Sequence, residues 1–339
     1  MAIDWKILGT PGADNALLVT IDTGQSLHRI LFDCGEGCLN SLRPSVIQSI
    51  DHLCFSHFHM DHVSGFDTFF RHNYNRPEIP VQVWGPPDTI DLMAHRFQSF
   101  TWNLHAEQPG EWLVHNISPS KIESARFYTK EAFGVRHPDP SLTLIQSEIH
   151  RSPEFTIEAA LLPHHNISSA AYRVIEADRF NVCAEALQKS GLKPGPWITR
   201  LTDTLDKEDA SIAIDGKEHS LKTLRSELLK ISKGSSIAYL TDFRVEPGST
   251  EWNNLADWLK GTDVLVCECQ YLKKDQPLAQ RNGHMTSDRV GQLAEAAGVK
   301  SLVLQHLSRR YNEDDWATLL SEATEEFTGA SFPPHWTFE

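Results

Sequence analysis

The stretch Ser56-His57-Phe58-His59-Met60-Asp61-His62 places three imidazoles and one carboxylate within six residues. It directly follows residues 51–55, an apolar run typical of a buried β-strand. Imidazole and carboxylate groups are ligands that zinc prefers. Four candidate ligands in one short loop can serve two adjacent metal ions, which together clamp a phosphate or carbonyl oxygen. The stretch therefore predicts a metal-dependent hydrolase.

Polar residues also close other apolar runs further along the chain. Asp242, Glu268 and His306 each follow a run with the composition of a β-strand. In layered α/β proteins, ligand sites gather at the carboxyl ends of the strands. We therefore expect these three residues to share one site with His57 and His59.

The composition limits the classes of function that the chain can have. Hydrophobic residues make up 40% of the 339 residues, which is enough for a large core. The formal net charge is -14, with 45 acidic and 31 basic residues. This excess of acidic residues disfavours broad, sequence-independent binding of nucleic acid, although it allows a local basic patch.

Two further observations concern the cellular compartment. The chain lacks an apolar run of the roughly 20 residues that a membrane span needs. The first six residues do not have the pattern of a signal peptide, so we expect a cytoplasmic protein without membrane association. None of the six cysteines forms a C-x-x-C pair, and we expect all six to be reduced and most of them to be packing residues.

The histidine stretch resembles the signature of the metallo-β-lactamase superfamily. This resemblance implies an α/β fold, a four-layer αβ/βα sandwich with the metals at one edge, formed by residues 1–339 as a single domain. Iron–oxygen members of the superfamily have a glutamate in place of the second histidine of the motif. His59 therefore indicates hydrolysis rather than redox chemistry.

Other segments resemble the ribonuclease Z family, whose members trim the 3′ ends of precursor tRNA. They occur in the family's order along most of the chain: Leu8-Gly9-Thr10, Phe32-Asp33-Cys34-Gly35-Glu36-Gly37, Val83-Trp84-Gly85-Pro86-Pro87, Tyr239-Leu240-Thr241-Asp242-Phe243-Arg244, Gly283-His284-Met285-Thr286-Ser287 and Gln305-His306-Leu307-Ser308-Arg309-Arg310-Tyr311. The chain departs from the family pattern at Met60, Thr241, Phe243 and Met285.

The resemblance to ribonuclease Z implies two zinc ions, with manganese or iron as alternatives. The implied ligands are His57, His59 and His165 for the first ion, Asp61, His62 and His306 for the second, and Asp242 for both. His164 is the alternative to His165. In the family this ligand lies seven residues before a tyrosine, and counting back from Tyr172 favours His165.

The same resemblance implies roles in the hydrolysis of a phosphodiester by a metal-activated hydroxide. Asp61 would accept a proton from the nucleophile, and His284 would donate one to the leaving oxygen. Glu268 would orient His284, since a nearby carboxylate favours the protonated imidazole. Arg310, with Ser308 beside it, would bind a phosphate of the substrate.

A polar segment, about residues 176–232, interrupts the strand pattern and is predicted to be an inserted arm. It lies where bacterial ribonuclease Z proteins carry the arm that grips tRNA, and Leu192-Lys193-Pro194-Gly195-Pro196-Trp197 resembles the arm's Gly-Pro motif. The arm is therefore a possible exosite. A lid or a dimer contact is the alternative, and the family resemblance also suggests a homodimer.

The sequence thus favours a zinc-dependent phosphodiesterase, with precursor tRNA as the expected substrate. A hydrolase of a small phosphodiester, a cyclic nucleotide or an ester is the alternative, because the departures from the family pattern bear on the substrate. A catalytically silent binding module is a third possibility. The complete set of candidate ligands argues against it.

Overall fold

The computed structural model describes residues 3–144, 147–202 and 210–337. Within this range the chain forms two compact units. The first contains the chain up to Ile175 and again from Ser235 onward, and the second contains Glu176–Gly234. Among the described helices, none combines the length and the apolar character that crossing a membrane requires.

One sheet of the first unit is built from strands that lie side by side in their sequence order. They are β1 (Asp4–Leu8), β2 (Ala16–Asp22), β3 (Leu27–Phe32), β4 (His52–Cys54), β5 (Val81–Gly85), β6 (Glu111–Ile117), β7 (Lys121–Tyr128) and β8 (His137–Thr143). The central pairs from β3 to β6 are parallel, and the outer pairs are antiparallel. The carboxyl ends of the parallel strands therefore meet at one edge.

A second sheet of the same unit has its own parallel part. Its strands are β9 (Glu148–Arg151), β10 (Phe155–His164), β11 (Ile167–Glu176), β16 (Ser236–Leu240), β17 (Val264–Glu268), β18 (Ser301–Gln305) and β19 (Ala330–Ser331). Their spatial order is β19-β18-β17-β16-β11-β10-β9, and β16 to β19 run parallel. Strands β16, β17 and β18 end at one edge, as their terminal polar residues predict.

The two sheets pack face to face, and helices cover their outer faces. The ring of Phe32 on β3 lies 5.4 Å from the ring of Tyr172 and 5.7 Å from that of Tyr239, both on the second sheet. All three rings are almost fully buried, and burying a side chain of this size contributes about 1.5–3 kcal/mol. Phe32 therefore marks the centre of the core between the sheets.

The outer layers are amphipathic helices that bury their apolar faces against the sheets. The helices of the first unit are α1 (Pro44–Gln48), α2 (Met60–Val63), α3 (Phe66–Asn73), α4 (Thr89–Phe97), α8 (Thr250–Leu259), α9 (Gln276–Asn282), α10 (Ser287–Ala297) and α11 (Glu313–Glu326). Helices α1, α3 and α4 pack on the first sheet, and α8, α10 and α11 contribute to the core of the second. This arrangement confirms the predicted α/β fold class, the four-layer αβ/βα sandwich.

The second unit has a small core of its own. Its elements are β12 (Arg179–Val182), α5 (Ala184–Ser190), α6 (Trp197–Thr202), β13 (Ser211–Ile214), β14 (Lys217–Ser220), α7 (Leu221–Leu228) and β15 (Leu229–Ser232). Strand β12 pairs with β15, and β13 forms a hairpin with β14. Trp197, Leu201 and Leu221 are buried in its core.

A group of histidines lies between the sheets of the first unit, near the start of β4. The ring of Trp84 stacks on that of His115 at 3.7 Å between centroids, and its Nε1–H donates to His52 Nδ1 at 3.1 Å. The ring of His150 lies 4.5 Å from that of His52. Burial, together with neighbouring positive charges, lowers the pKa of all three imidazoles, and that of His115 falls to about 3. These histidines are therefore neutral packing residues in the native protein.

We expect His115→Gln to reduce the loss of stability on acidification. The pKa of His115 rises from about 3 to 6.5 on unfolding, so the unfolded chain binds the additional proton below pH 6.5. The free energy of unfolding therefore decreases as the pH is lowered below 6.5. For one such histidine the decrease between pH 6.5 and pH 5 is about 2 kcal/mol. Urea unfolding of the metal-free protein at both pH values measures the difference, with the exposed His95→Gln as control. An equal pH-dependent loss in wild type and His115→Gln would contradict the assignment.

Candidate metal centre

The histidine stretch forms the loop between β4 and helix α2, at the carboxyl edge of the first sheet. His57 and His59 lie in the loop, whereas Asp61 and His62 lie in the first turn of α2. A helical turn directs Asp61 and His62 away from the preceding extended segment, because its residues no longer alternate with a period of two. The local structure thus presents ligands in two directions.

Two sets of side chains meet at this edge. The ligand atoms within each set lie within 4.8 Å of one another. The first set consists of His57, His59, His164 and Asp242, and the second consists of Asp61, His62 and His306; a third, overlapping group joins His284 to Asp242 and His306. Each contains the donor types that zinc and similar metals prefer, so each could hold one metal ion.

The carboxylate of Asp242 lies between the two sets and divides its oxygens between them. Its Oδ1 is 3.4 Å from Nε2 of both His62 and His306, while its Oδ2 is 3.7 Å from His57 Nε2 and 3.9 Å from His164 Nε2. Two ligands bound at about 2.1 Å to one tetrahedral ion are about 3.4 Å apart. The observed separations therefore suit metal coordination better than direct hydrogen bonding.

Two nitrogen atoms of the cluster give an independent test of the fit. The Nε2 atoms of His57 and His62 are buried and have no hydrogen-bond partner among the described residues. An unpaired buried nitrogen costs about 1–3 kcal/mol, so native proteins rarely retain one without a purpose. Both atoms face Asp242, and a bound cation would satisfy them. The residues present fit a metal ion.

The buried carboxylates of the cluster also need a compensating positive charge. Burial acts to raise the pKa of Asp242, but His306 and His62 hold it well below its usual range. Burial acts to lower the pKa of His62, yet the carboxylates of Asp242 and Asp33 hold it well above its usual range. The buried carboxylates thus demand a compensating cation, which a proton on His62 or a metal ion can supply.

Comparison with known proteins identifies the family. Residues 28–153 match the family model described as "Beta-lactamase superfamily domain". The ribonuclease Z of Deinococcus radiodurans is 38% identical over 330 residues, which cover 97% of each protein. The chain belongs to the ribonuclease Z family. As a member of this family, it is a metal-dependent hydrolase.

Solved structures show the same fold at lower identity. The metallo-beta-lactamase fold protein YhfI from Bacillus subtilis aligns with a TM-score of 0.57 and 16% identity, covering 98% of this chain and 96% of its own. The short form of human tRNase Z aligns with a TM-score of 0.53 and 16% identity, covering 98% of this chain and 97% of its own. Both alignments show the metallo-β-lactamase fold.

The sequence favours His165 over His164, but the structure places His164 and not His165 in the cluster. His164 ends β10, is buried, and hydrogen-bonds through Nδ1 to the carbonyl oxygen of Gly283 at 3.0 Å. His165 follows in the turn with a φ of 54° and is exposed. Successive residues of a strand point to opposite faces, so only one of the two side chains can face Asp242.

Gly283 is required for this contact. Its φ is +73°, and a Cβ atom at this position would lie 2.8 Å from His165 Cδ2 and 3.0 Å from His164 Nδ1. The loop that contains Gly283 can therefore approach the end of β10 only because the residue has no side chain. The same loop continues to His284, so the glycine helps to place both histidines.

His284 and Glu268 form a buried pair at the rim of the cluster. The Nδ1–H of His284 donates to Glu268 Oε2 at 2.8 Å, and the backbone N–H of Phe243 donates to Glu268 Oε1 at 2.9 Å. Burial acts to lower the pKa of His284, but Glu268 outweighs it and raises the pKa to about 9. His284 Nε2 lies 4.0 Å from Asp242 Oδ2. The pair can therefore hold a proton beside the candidate metal ligands.

The residues predicted to bind substrate occupy different surroundings. Ser308 lines a cavity of about 460 Å³ that also contains Asp61, His306 and Arg309. Arg310 lies outside this lining, with its guanidinium 5.6 Å from the centre of the Tyr271 ring. Arg309, which the sequence did not single out, lies on the cavity wall and pairs with Asp14 at 2.5 Å.

A second cavity of about 430 Å³ lies on the other side of the cluster. His57 and His59 form part of its wall, and Phe58, Leu92 and Ile167 give it an apolar character. The candidate ligands thus line two cavities, one polar and one apolar.

Sequence reasoning missed the residues that orient the histidines of the cluster. Gln270 Nε2 is 3.3 Å from His306 Nδ1, and Asn15 Oδ1 accepts the backbone N–H of His306 at 3.2 Å. Asp33 Oδ2 lies 2.7 Å from His62 Nδ1. The position of Asp33 directly after strand β3 was a usable signal, because it matches the pattern of Asp242 and His306.

We expect His164→Ala to weaken zinc binding and His165→Ala to leave it close to wild type. Loss of even a supporting residue of a metal site typically costs 10- to 100-fold in affinity, so loss of a ligand should cost at least roughly that much. Zinc titration against a chromophoric chelator measures both variants, which differ by one position in the same turn. A loss confined to His165→Ala would restore the assignment based on the family's spacing.

Proposed function

We propose that this protein is a zinc-dependent endoribonuclease that removes 3′ trailers from precursor tRNA. The division of the Asp242 oxygens between two ligand sets is the observation that carries the proposal. A two-metal site of this kind suits displacement at a phosphodiester, in which both the attacking and the leaving oxygen need stabilisation. The relationship to a ribonuclease Z along nearly the full length supports the choice of substrate.

The ligand assignment follows the two sets in the structure. We assign His57, His59 and His164 to one zinc ion, Asp61, His62 and His306 to the other, and Asp242 to both. Zinc bound there would supply Lewis-acid activation of water and of the phosphoryl group. The division of Asp242 favours two ions over one, because each of its oxygens faces a separate set of imidazoles.

The protein itself supplies the groups that move protons. Asp61 is the accessible carboxylate of the cluster, with 42% of its side chain exposed, and it lines the polar cavity. A nucleophile in this cavity can transfer its proton to Asp61. His284, held by Glu268 through Nδ1, directs Nε2 towards Asp242 and can donate a proton to the leaving 3′ oxygen.

We expect His284→Ala to lower kcat on precursor tRNA by about 10²- to 10⁴-fold, the usual contribution of a general acid. Glu268→Gln should lower kcat less, because its amide oxygen can still accept the Nδ1–H of His284. Both variants should retain two zinc ions by elemental analysis, since neither residue is assigned as a ligand. Loss of zinc from His284→Ala would instead indicate that His284 binds a metal.

The inserted unit is our candidate for the surface that recognises tRNA. Residues 176–234 contain ten basic and ten acidic residues, so the net charge of -14 lies entirely outside this segment. Phosphate groups are therefore repelled less by this unit than by the rest of the chain. Its own buried core allows the unit to present a defined surface.

The decisive experiment measures cleavage of precursor tRNA with a 3′ trailer beside hydrolysis of bis(p-nitrophenyl) phosphate. Wild type should cut the RNA after the discriminator base, and His59→Ala should be inactive on both substrates. A variant in which a short Gly-Ser linker replaces residues 177–234 should lose RNA cleavage but keep the small ester. The linker can close the gap, because Ile175 and Ser236 are paired neighbours on β11 and β16.

The outcomes separate the competing functions. Hydrolysis of only the small ester by wild type would favour a small phosphodiester, a cyclic nucleotide or an ester as the substrate. RNA cleavage that is indifferent to the inserted unit would refute its role as an exosite. Failure to bind zinc or to hydrolyse either substrate would leave a silent binding module. The homodimer and the cytoplasmic location stay predictions, and light scattering tests the former.

A further inference from the structure

We propose that Arg309 binds a backbone phosphate of the RNA that neighbours the phosphate being cleaved. This role rests on the proposed function, because it needs a substrate with more than one phosphate. Arg309 is an addition to Arg310, the arginine that the sequence predicts for phosphate binding. The guanidinium of Arg309 has a fixed position in the polar cavity at the metal centre, and carboxylates outnumber it there.

The polar cavity of about 460 Å³ presents an unfavourable charge to an RNA strand. Its lining contains the carboxylates of Asp14, Glu36 and Asp61. Arg309 is the one arginine or lysine among the described residues of this lining. Metal ions held at Asp61 would offset part of the negative charge. A second phosphate in the same cavity needs a further cation, and Arg309 is the side chain that supplies it.

A tight turn directs Arg309 and Arg310 to different places. The backbone N–H of Tyr311 donates to the carbonyl oxygen of Ser308 at 3.2 Å, so the two arginines are the central residues of a β-turn. Tyr311 is buried, and its hydroxyl donates to Asp275 Oδ2 at 2.5 Å. The turn is therefore anchored at its last residue. It places Arg309 in the lining of the cavity and Arg310 outside it.

Asp14 holds the guanidinium of Arg309 at the cavity wall. An N–H of Arg309 donates to Asp14 Oδ1 at 2.5 Å, and Asp14 Oδ2 accepts the backbone N–H of Glu36 at 3.0 Å. The side chain of Asp14 is only 8% exposed, and a Cβ atom on Gly35 would lie 2.5 Å from its Cβ atom. The carboxylate therefore has a fixed position. The side chain of Arg309 is 74% exposed, so most of its N–H groups stay available to a phosphate.

A substrate with a single phosphate separates this role from catalysis. Bis(p-nitrophenyl) phosphate offers only the group that is cleaved, so Arg309→Gln should impair hydrolysis of precursor tRNA much more than hydrolysis of the small ester. Arg309→Lys should fall between wild type and Arg309→Gln, because it keeps the charge but loses the planar guanidinium. Arg151→Gln is the matched control. Arg151 is also exposed and paired with a carboxylate, that of Glu148, but it lines neither cavity.

The test is the steady-state kinetics of the zinc-loaded protein on precursor tRNA over a range of salt concentrations. We expect Arg309→Gln to raise KM about tenfold, the lower end of what a hydrogen bond to a charged group contributes, and to change kcat little. The slope of log KM against log salt concentration should become shallower by about 0.7–0.9, the value for one phosphate contact. Arg151→Gln should match wild type in KM, in kcat and in this slope.

The outcomes separate this role from the proposed function. A KM and a salt slope of Arg309→Gln equal to those of wild type would refute the role of Arg309 and leave the ribonuclease assignment intact. A similar rise in KM for Arg151→Gln would also refute it, since it would indicate an effect of net charge alone. So would an equal loss by Arg309→Gln on both substrates, which would indicate damage to the metal centre. Failure of wild type to cleave precursor tRNA would overturn both proposals.

Discussion

The buried carboxylate of Asp242 is the constraint on which the rest of the site depends. A carboxylate without compensation is costly in a protein interior, and its burial is tolerated only where positive charge or hydrogen-bond donors surround it. Imidazoles approach both of its oxygens, and each does so through its Nε2 atom. The surrounding structure has to hold these rings in place from behind. For that reason the contacts at the Nδ1 atoms matter as much as the ligand atoms themselves.

The same backbone conformation follows several strands and brings the polar side chains of the site together. Asp33, Asp242 and His306 each follow a strand of the parallel part of a sheet, and each has a positive φ, between 49° and 56°. This conformation costs roughly 1–2 kcal/mol for a residue with a side chain, though Asp and His adopt it more readily than most. The turn directs the three side chains back over the edge of the sheets. The packing of the core maintains this local strain.

The sequence predicted the fold class and the edge at which the cluster lies, because both depend on local patterns. Apolar runs that end in polar residues indicate parallel strands. The carboxyl ends of neighbouring parallel strands lie at the same edge of a sheet. The choice between His164 and His165 could not be made in the same way. It depends on which face of β10 packs inward at its last residue, and an error of one position exchanges the faces. The contact of Tyr239 with Asp33 joins different sheets, so no local pattern contains it.

The histidines of this chain show why burial alone does not identify a metal ligand. His115 and His62 are both buried, but Gln82 and Ser124 contact both ring nitrogens of His115 at 2.8 and 2.7 Å. In His62 only Nδ1 has such a partner, and Nε2 is left facing carboxylates. Burial without a free nitrogen produces a packing residue with a lowered pKa, as in His115. His62, with one supported nitrogen and one free nitrogen that faces carboxylates, has the arrangement that a metal ligand needs.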